Sequence, residues 1–149
     1  MDDEAPDALD RYWIAQDDEF RCGPIRKLAR RDQVLRLVWL GDAEICNGGF
    51  QQLFGNSTGK DIRLMADAFA EIGATAAAEV IASAVGTLGS VFPLSIQSVR
   101  LWRLDRLTDA ENDHLDALAD QYYAVAESIH DQLSDYLFGP AADQTGARP

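Results

Sequence analysis

The stretch Thr108-Asp109-Ala110-Glu111-Asn112-Asp113-His114-Leu115-Asp116-Ala117-Leu118-Ala119-Asp120-Gln121-Tyr122 decides the fold class. Thr108 followed three residues later by Glu111 is a capping box, in which each side chain satisfies a backbone N–H left open at a helix start. Beyond it Leu115, Leu118, Tyr122, Val125, Ile129, Leu133 and Tyr136 recur every three or four residues, the period of one helix face. On the opposite side Asp109, Asp113, Asp116, Asp120, Glu127, Asp131 and Asp135 follow at steps of four, three, four, seven, four and four. A continuous helix would carry these seven carboxylates in one stripe roughly 39 Å long. No Lys or Arg stands between Arg106 and Arg148, although like charges at i,i+4 are destabilising where mixed signs would stabilise. The stripe therefore reads either as a solvated face or as a surface for something cationic.

Working outward, the other segments also read as helices. Leu9, Tyr12 and Trp13 lie opposite Asp3, Asp7 and Asp10, which predicts a short amphipathic helix with its own acidic face. Val34, Leu35, Leu37, Val38, Leu40 and Ile45 predict an apolar helix over about 31–46. Asn47-Gly48-Gly49 ends it, because glycine accepts the left-handed geometry of a C-cap. Phe50, Leu53 and Phe54 add a turn or two before Gly55-Asn56. Thr58 is expected to cap a helix to about residue 72, with Ile62, Met65, Ala66 and Phe69 inward, and Thr75 to start an alanine-rich helix through Val85. Ile96, Val99, Leu101, Trp102 and Leu104 fit either a buried short helix or an apolar connection. No β-branched residues alternate over a strand's length. The expectation is all-α: one compact domain of about six to eight helices over residues 1–138, then a disordered tail over 139–149, whose composition cannot bury apolar area.

The formal net charge of −12 is uneven. Residues 1–20 carry −7 and residues 105–149 carry −8, while residues 21–60, with Arg21, Arg26, Lys27, Arg30, Arg31 and Arg36, carry +4. Such a chain repels nucleic acid and anionic membranes at long range and attracts basic protein surfaces. Direct nucleic-acid contact is not expected, and the basic cluster is expected to meet an acidic end, within one chain or in a homodimer. The start of the chain lacks the basic and apolar regions of a signal peptide, and no apolar run approaches a membrane span, so a cytoplasmic protein is expected. Cys22 and Cys46 lack CxxC spacing, so neither a disulfide framework nor a metal site is indicated.

Catalytic signatures are weak. His114 and His130 are sixteen residues apart and project apart on a helix, so they form no His-x-x-x-His pair, and the single Glu111-x-x-His114 lacks the second copy a di-iron bundle needs. No nucleophile elbow or phosphate loop is present. Neither catalysis nor a cofactor is expected.

The run Glu44-Ile45-Cys46-Asn47-Gly48-Gly49-Phe50-Gln51-Gln52-Leu53-Phe54-Gly55-Asn56-Ser57-Thr58-Gly59, with Ala70-Glu71-Ile72-Gly73-Ala74 and Leu115-Asp116-Ala117-Leu118-Ala119-Asp120-Gln121-Tyr122-Tyr123, resembles the bacterial DNA-mimic protein family over roughly residues 33–138. The resemblance implies a helical, often dimeric fold whose characterised member presents carboxylates in the pattern of duplex phosphates and occupies the DNA-binding surface of a transcriptional regulator. Physically, Asn47, Gly48 and Gly49 read as a helix corner and Phe50 as core, and Asn56 belongs to the same motif, so the motif itself reads as structural. The partner-binding candidates are the seven stripe acids with Asp3, Asp7 and Asp10; a second row is expected from these N-terminal acids together with Asp17, Asp18 and Glu19, or from a symmetry mate in a dimer. The alternatives are an immunity-type inhibitor of a basic toxin or nuclease, and a structural helical dimer.

Overall fold

The computed structural model describes residues 6–89 and 92–140, and every regular element among them is helical. In chain order these are α1 (Ala8–Ile14), α2 (Asp18–Cys22), α3 (Arg30–Gly55), α4 (Ile62–Glu71), α5 (Thr75–Leu88), α6 (Gln97–Asp105), α7 (Asp109–Tyr123) and α8 (Ile129–Phe138). Short 3-10 turns precede α3, α4 and α8. The expected all-α class is what the chain adopts. Its last nine residues, where most of the predicted tail falls, lie outside the described residues, as do residues 1–5.

The centre of the molecule is α3, because it is apolar on several sides. It packs against α4, α6, α7 and α8, and Val34, Leu35, Leu37, Val38, Ile45, Phe50, Leu53 and Phe54 are all buried. A helix apolar around much of its circumference must be surrounded by others. The predicted stop at Asn47-Gly48-Gly49 is a kink inside one element: Gly49 sits at φ 74°, ψ −169°, and helical geometry resumes for Phe50 and Phe54. Those two rings join Phe69 of α4 and Tyr122 of α7 in an aromatic cluster with centroids 5.9–6.5 Å apart. The alanines of α5, among them Ala77, Ala78 and Ala84, are buried where α5 packs on α4 and α7.

Three expectations need correction. Thr58 caps nothing: residues 57–61 form a 3-10 turn, and the Thr58 hydroxyl donates to Glu44 instead. The 96–104 segment is a helix, but Ile96, Leu101 and Trp102 are about half exposed, and its fully buried residue is Arg100. The last long helix is not continuous: α7 ends at Tyr123, and a turn through Ala126–Ser128 separates it from α8. The capping box of Thr108 and Glu111 is present.

Candidate functional site

All seven stripe carboxylates are exposed, since they lie opposite the buried Leu115, Leu118, Tyr122, Ile129 and Leu133. Because of the break they form two runs rather than one 39 Å stripe. Asp109, Asp113, Asp116 and Asp120 follow α7 over ~16 Å, and Asp131 and Asp135 lie on α8, with Glu127 in the intervening turn. Asp109 and Asp131 sit in first turns, where a helix N-terminus favours negative charge. Asp120 and Asp135 lie toward helix ends with no basic residue in the last turn to offset them. Among the described residues none of the seven takes part in an ion pair. Asp116 accepts from Gln51 Nε2 at 3.0 Å.

Five of the described arginines are engaged at helix ends. Arg21 donates to the Trp13 and Ile14 carbonyls at the end of α1, and Arg36 to Phe20 and Gly23 at the end of α2. Arg100 donates to Phe54 and Asn56 at the end of α3, Arg103 to Thr87 and Leu88 at the end of α5, and Arg31 to Leu137 at the end of α8. Terminal carbonyls lack helical partners and carry the negative end of the helix dipole, so cations are favoured there. Within the chain and among the described residues, the expected pairing of the basic cluster with an acidic end is met by Lys27 with Glu19 alone, at 3.7 Å. Arg30 and Arg36 pair instead with Glu71 and Asp61 of the middle segment. Turning arginines onto carbonyls leaves the outer acids without neutralising neighbours.

Of the proposed second row, Asp3 lies outside the described residues. Asp7 and Asp10 are brought toward the stripe: α1 runs alongside α8, with Asp7 Oδ2 2.6 Å from His130 Nε2 at one end and Tyr12 edge-on to Phe138 at the other. Asp7 caps α1 through Oδ1, and the Asp10 N–H, with His130 adding to it, holds its carboxyl below the usual carboxylate range. His130 is thus a tie between two helices, while His114 is exposed. Ligand atoms of Asp7, Asp10 and His130 lie within 4.8 Å of one another. Both Asp7 oxygens already serve the cap and the His130 contact, so the cluster is accounted for without a cation.

Glu71 is likewise held low, by the Tyr136 hydroxyl first and then by Arg30, and Glu111 by the Thr108 N–H first and then by Arg103. Carboxyls depressed in the folded state add stability above their unfolded pKa of about 4, and that stability is lost as pH falls through the lower folded values. The urea midpoint should therefore drop progressively below about pH 4. A midpoint that stayed level from pH 5 to pH 2.5 would contradict these contacts.

The motif residues converge on one carboxylate that sequence reasoning passed over. Glu44 accepts from Gln52 Nε2 at 2.8 Å, Asn56 Nδ2 at 2.9 Å and Thr58 Oγ1 at 3.4 Å, binding the halves of α3 to the turn that follows. Asn47 and Gly48 are exposed at the kink, whereas Gly49 and Phe50 are buried. The Tyr123 hydroxyl donates to the Ile45 carbonyl where the kink disturbs the helical ladder. These contacts tie the motif residues into the fold.

No helix among the described residues is long and apolar enough to cross a membrane. A family model described as DMP19-like protein matches residues 26–139. No curated protein and no solved structure gives a match.

Proposed function

The chain belongs to the DMP19-like protein family, and on that premise we propose that it is an acidic DNA mimic whose α7–α8 face docks on the DNA-binding surface of a cationic protein such as a transcriptional regulator. The observation that carries this reading is the separation of charge: exposed acids along α7 and α8 without ion pairs, and arginines turned onto helix ends. Duplex DNA places a phosphate every ~3.4 Å along a strand, whereas four helical residues advance ~6 Å. One run of acids therefore matches alternate phosphates of one strand. Asp10 on α1, beside His130 of α8, supplies negative charge toward a second.

Asp is the poorer helix former, yet its short side chain fixes charge close to the backbone, which lowers the entropy lost on docking. Exposed charges are screened over about 10 Å at 0.1 M salt, so affinity should fall steeply as salt rises. Duplex DNA should also compete for the same partner surface.

The decisive variant is Asp113→Asn, Asp116→Asn and Asp120→Asn together. It removes like-charge neighbours at i,i+3 and i,i+4, each costing about 0.2–0.5 kcal/mol, so thermal stability should hold or rise while affinity for a DNA-binding partner captured at low salt falls at least tenfold. Unchanged affinity for that partner would remove α7 from the interface. Inhibition of a basic toxin without competition from duplex DNA would favour an inhibitory module instead.

A further inference from the structure

Between α3 and α8 lies a cleft of about 250 Å³, bordered by Trp39, Asp42 and Ala43 on one side and Ile129, His130 and Leu133 on the other. Small-molecule sites generally start at about 300 Å³, so this volume suits one side chain. The cleft adjoins the acidic runs, since His130 precedes Asp131 and holds Asp7 at 2.6 Å. Trp39 is stacked on Trp13 at 5.0 Å with 18° between the planes, which fixes the orientation of its indole. Asp42 accepts from the Tyr122 hydroxyl at 2.6 Å and the Cys46 thiol at 3.6 Å, both through Oδ1. Its Oδ2 takes no hydrogen bond among the described residues. Burial and then the Asp42 charge raise the Tyr122 phenol and push the Cys46 thiol up to about 11, which keeps both as donors to Oδ1.

We propose that this cleft receives an arginine side chain of the cationic partner, its stem against Ile129 and Leu133, its guanidinium at the Trp39 indole and its N–H groups on Asp42. The inference rests on the acidic-face reading and gives it a fixed anchor: the outer acids attract any polycation, whereas the cleft selects a planar cation. Arginine fits better than lysine, because its guanidinium stacks on aromatic rings and presents a planar set of N–H donors to the one open oxygen, Asp42 Oδ2, while an ammonium is a compact, strongly hydrated charge. Binding energy concentrates in such partly desolvated anchors, and Arg is enriched among them.

The test follows the Trp39 indole and the Ile129 and Leu133 amides by NMR at low salt as N-acetyl-arginine amide is added, with N-acetyl-lysine amide for comparison. The expected result is a saturable shift of these signals with the arginine compound, about tenfold weaker in Asp42→Asn and lost in Ala43→Trp, where an indole fills the mouth from an exposed position. Asp42→Asn keeps an oxygen acceptor for Tyr122. Equal response to the lysine compound, or an undiminished response in both variants, would overturn the proposal.

Nona-arginine binding separates this inference from the reading beneath it. If Asp113→Asn/Asp116→Asn/Asp120→Asn weakens nona-arginine while the cleft variants leave the Trp39 response unchanged, the cleft fails and the acidic face stands. If the triple variant binds nona-arginine as tightly as the parent and the Trp39 response is intact, the α7 acids fail and the cleft stands.

Discussion

Arg100→Met should lower folding stability by about 3–5 kcal/mol, the net cost of leaving three carbonyls without the charged donor they share. Arg100 has no exposed surface. Its Nε donates to the Phe54 carbonyl at 2.7 Å, Nη1 to Leu94 at 2.7 Å and Nη2 to Asn56 at 2.9 Å, so one side chain closes the end of α3 and the loop before α6. Methionine keeps part of the volume but donates nothing. Carbonyls that remain buried without a donor cost roughly 1–3 kcal/mol each, partly offset because a cation no longer has to be desolvated. Burial pulls the Arg100 pKa down while Asp61 opposes, yet a guanidinium stays charged in proteins. Arg100→Lys should recover only part of the loss, because an ammonium cannot span three diverging carbonyls.

Gly59 reports on the same site, since a Cβ there would stand 2.6 Å from the Leu53 carbonyl and 2.7 Å from Arg100 Nε. Gly59→Ala should therefore destabilise in the same direction. Urea midpoints of the three variants check the account, and a loss under 1 kcal/mol for Arg100→Met would mean that water serves those carbonyls equally well.

That arginine also shows where the sequence stopped being readable. Around it stand Ile96, Val99, Leu101, Trp102 and Leu104, and a hydrophobicity rule turns those inward. In the fold the inward side of α6 is set by the carbonyls ending α3, which lie more than forty residues away in the chain and leave no local trace. Arg31 is a second case: composition reads it as part of a basic patch, although its partner is the Leu137 carbonyl at the far end of the chain. The break between α7 and α8 is hidden for a different reason. Ala124-Val125-Ala126-Glu127-Ser128 contains no Gly or Pro, and the apolar spacing continues through it without a phase change.

What was legible is what periodicity and caps encode: the class, the capping box, the buried face of α7 and, by subtraction, the exposure of its acids. The lodging of Asp7 against His130 needed coordinates, because it depends on α1 folding back across more than a hundred residues of chain.

Gly49→Ala should destabilise by roughly 1–3 kcal/mol, near the upper end, although there is room for the methyl. The nearest atoms to a Cβ at 49 are Gln51 Oε1, Ala119 Cβ and Tyr123 Oη at 3.5–3.8 Å, ordinary contact distances. The obstacle is the backbone: φ 74° with ψ −169° is a region that side chains with a Cβ essentially do not occupy. To relieve it the kink must open, and the kink is where α7 is seated. Ala119 packs on Gly49, Tyr123 donates to Ile45, and Gln51 donates to Asp116, so the helix carrying Asp109, Asp113, Asp116 and Asp120 is registered on this corner.

Gly86→Ala supplies the opposite sign. Gly86 lies in α5, is exposed, has no positive φ and has nothing within 4 Å of a Cβ, so alanine should stabilise by about 0.5–1 kcal/mol through helix propensity. Urea denaturation of both variants, with amide exchange across α7, separates the causes. Loss at 49 with faster exchange in α7, beside a gain at 86, is the expected pair. A neutral Gly49→Ala would show that the kink relaxes at no cost and that the acid-bearing helix is positioned by its apolar face alone.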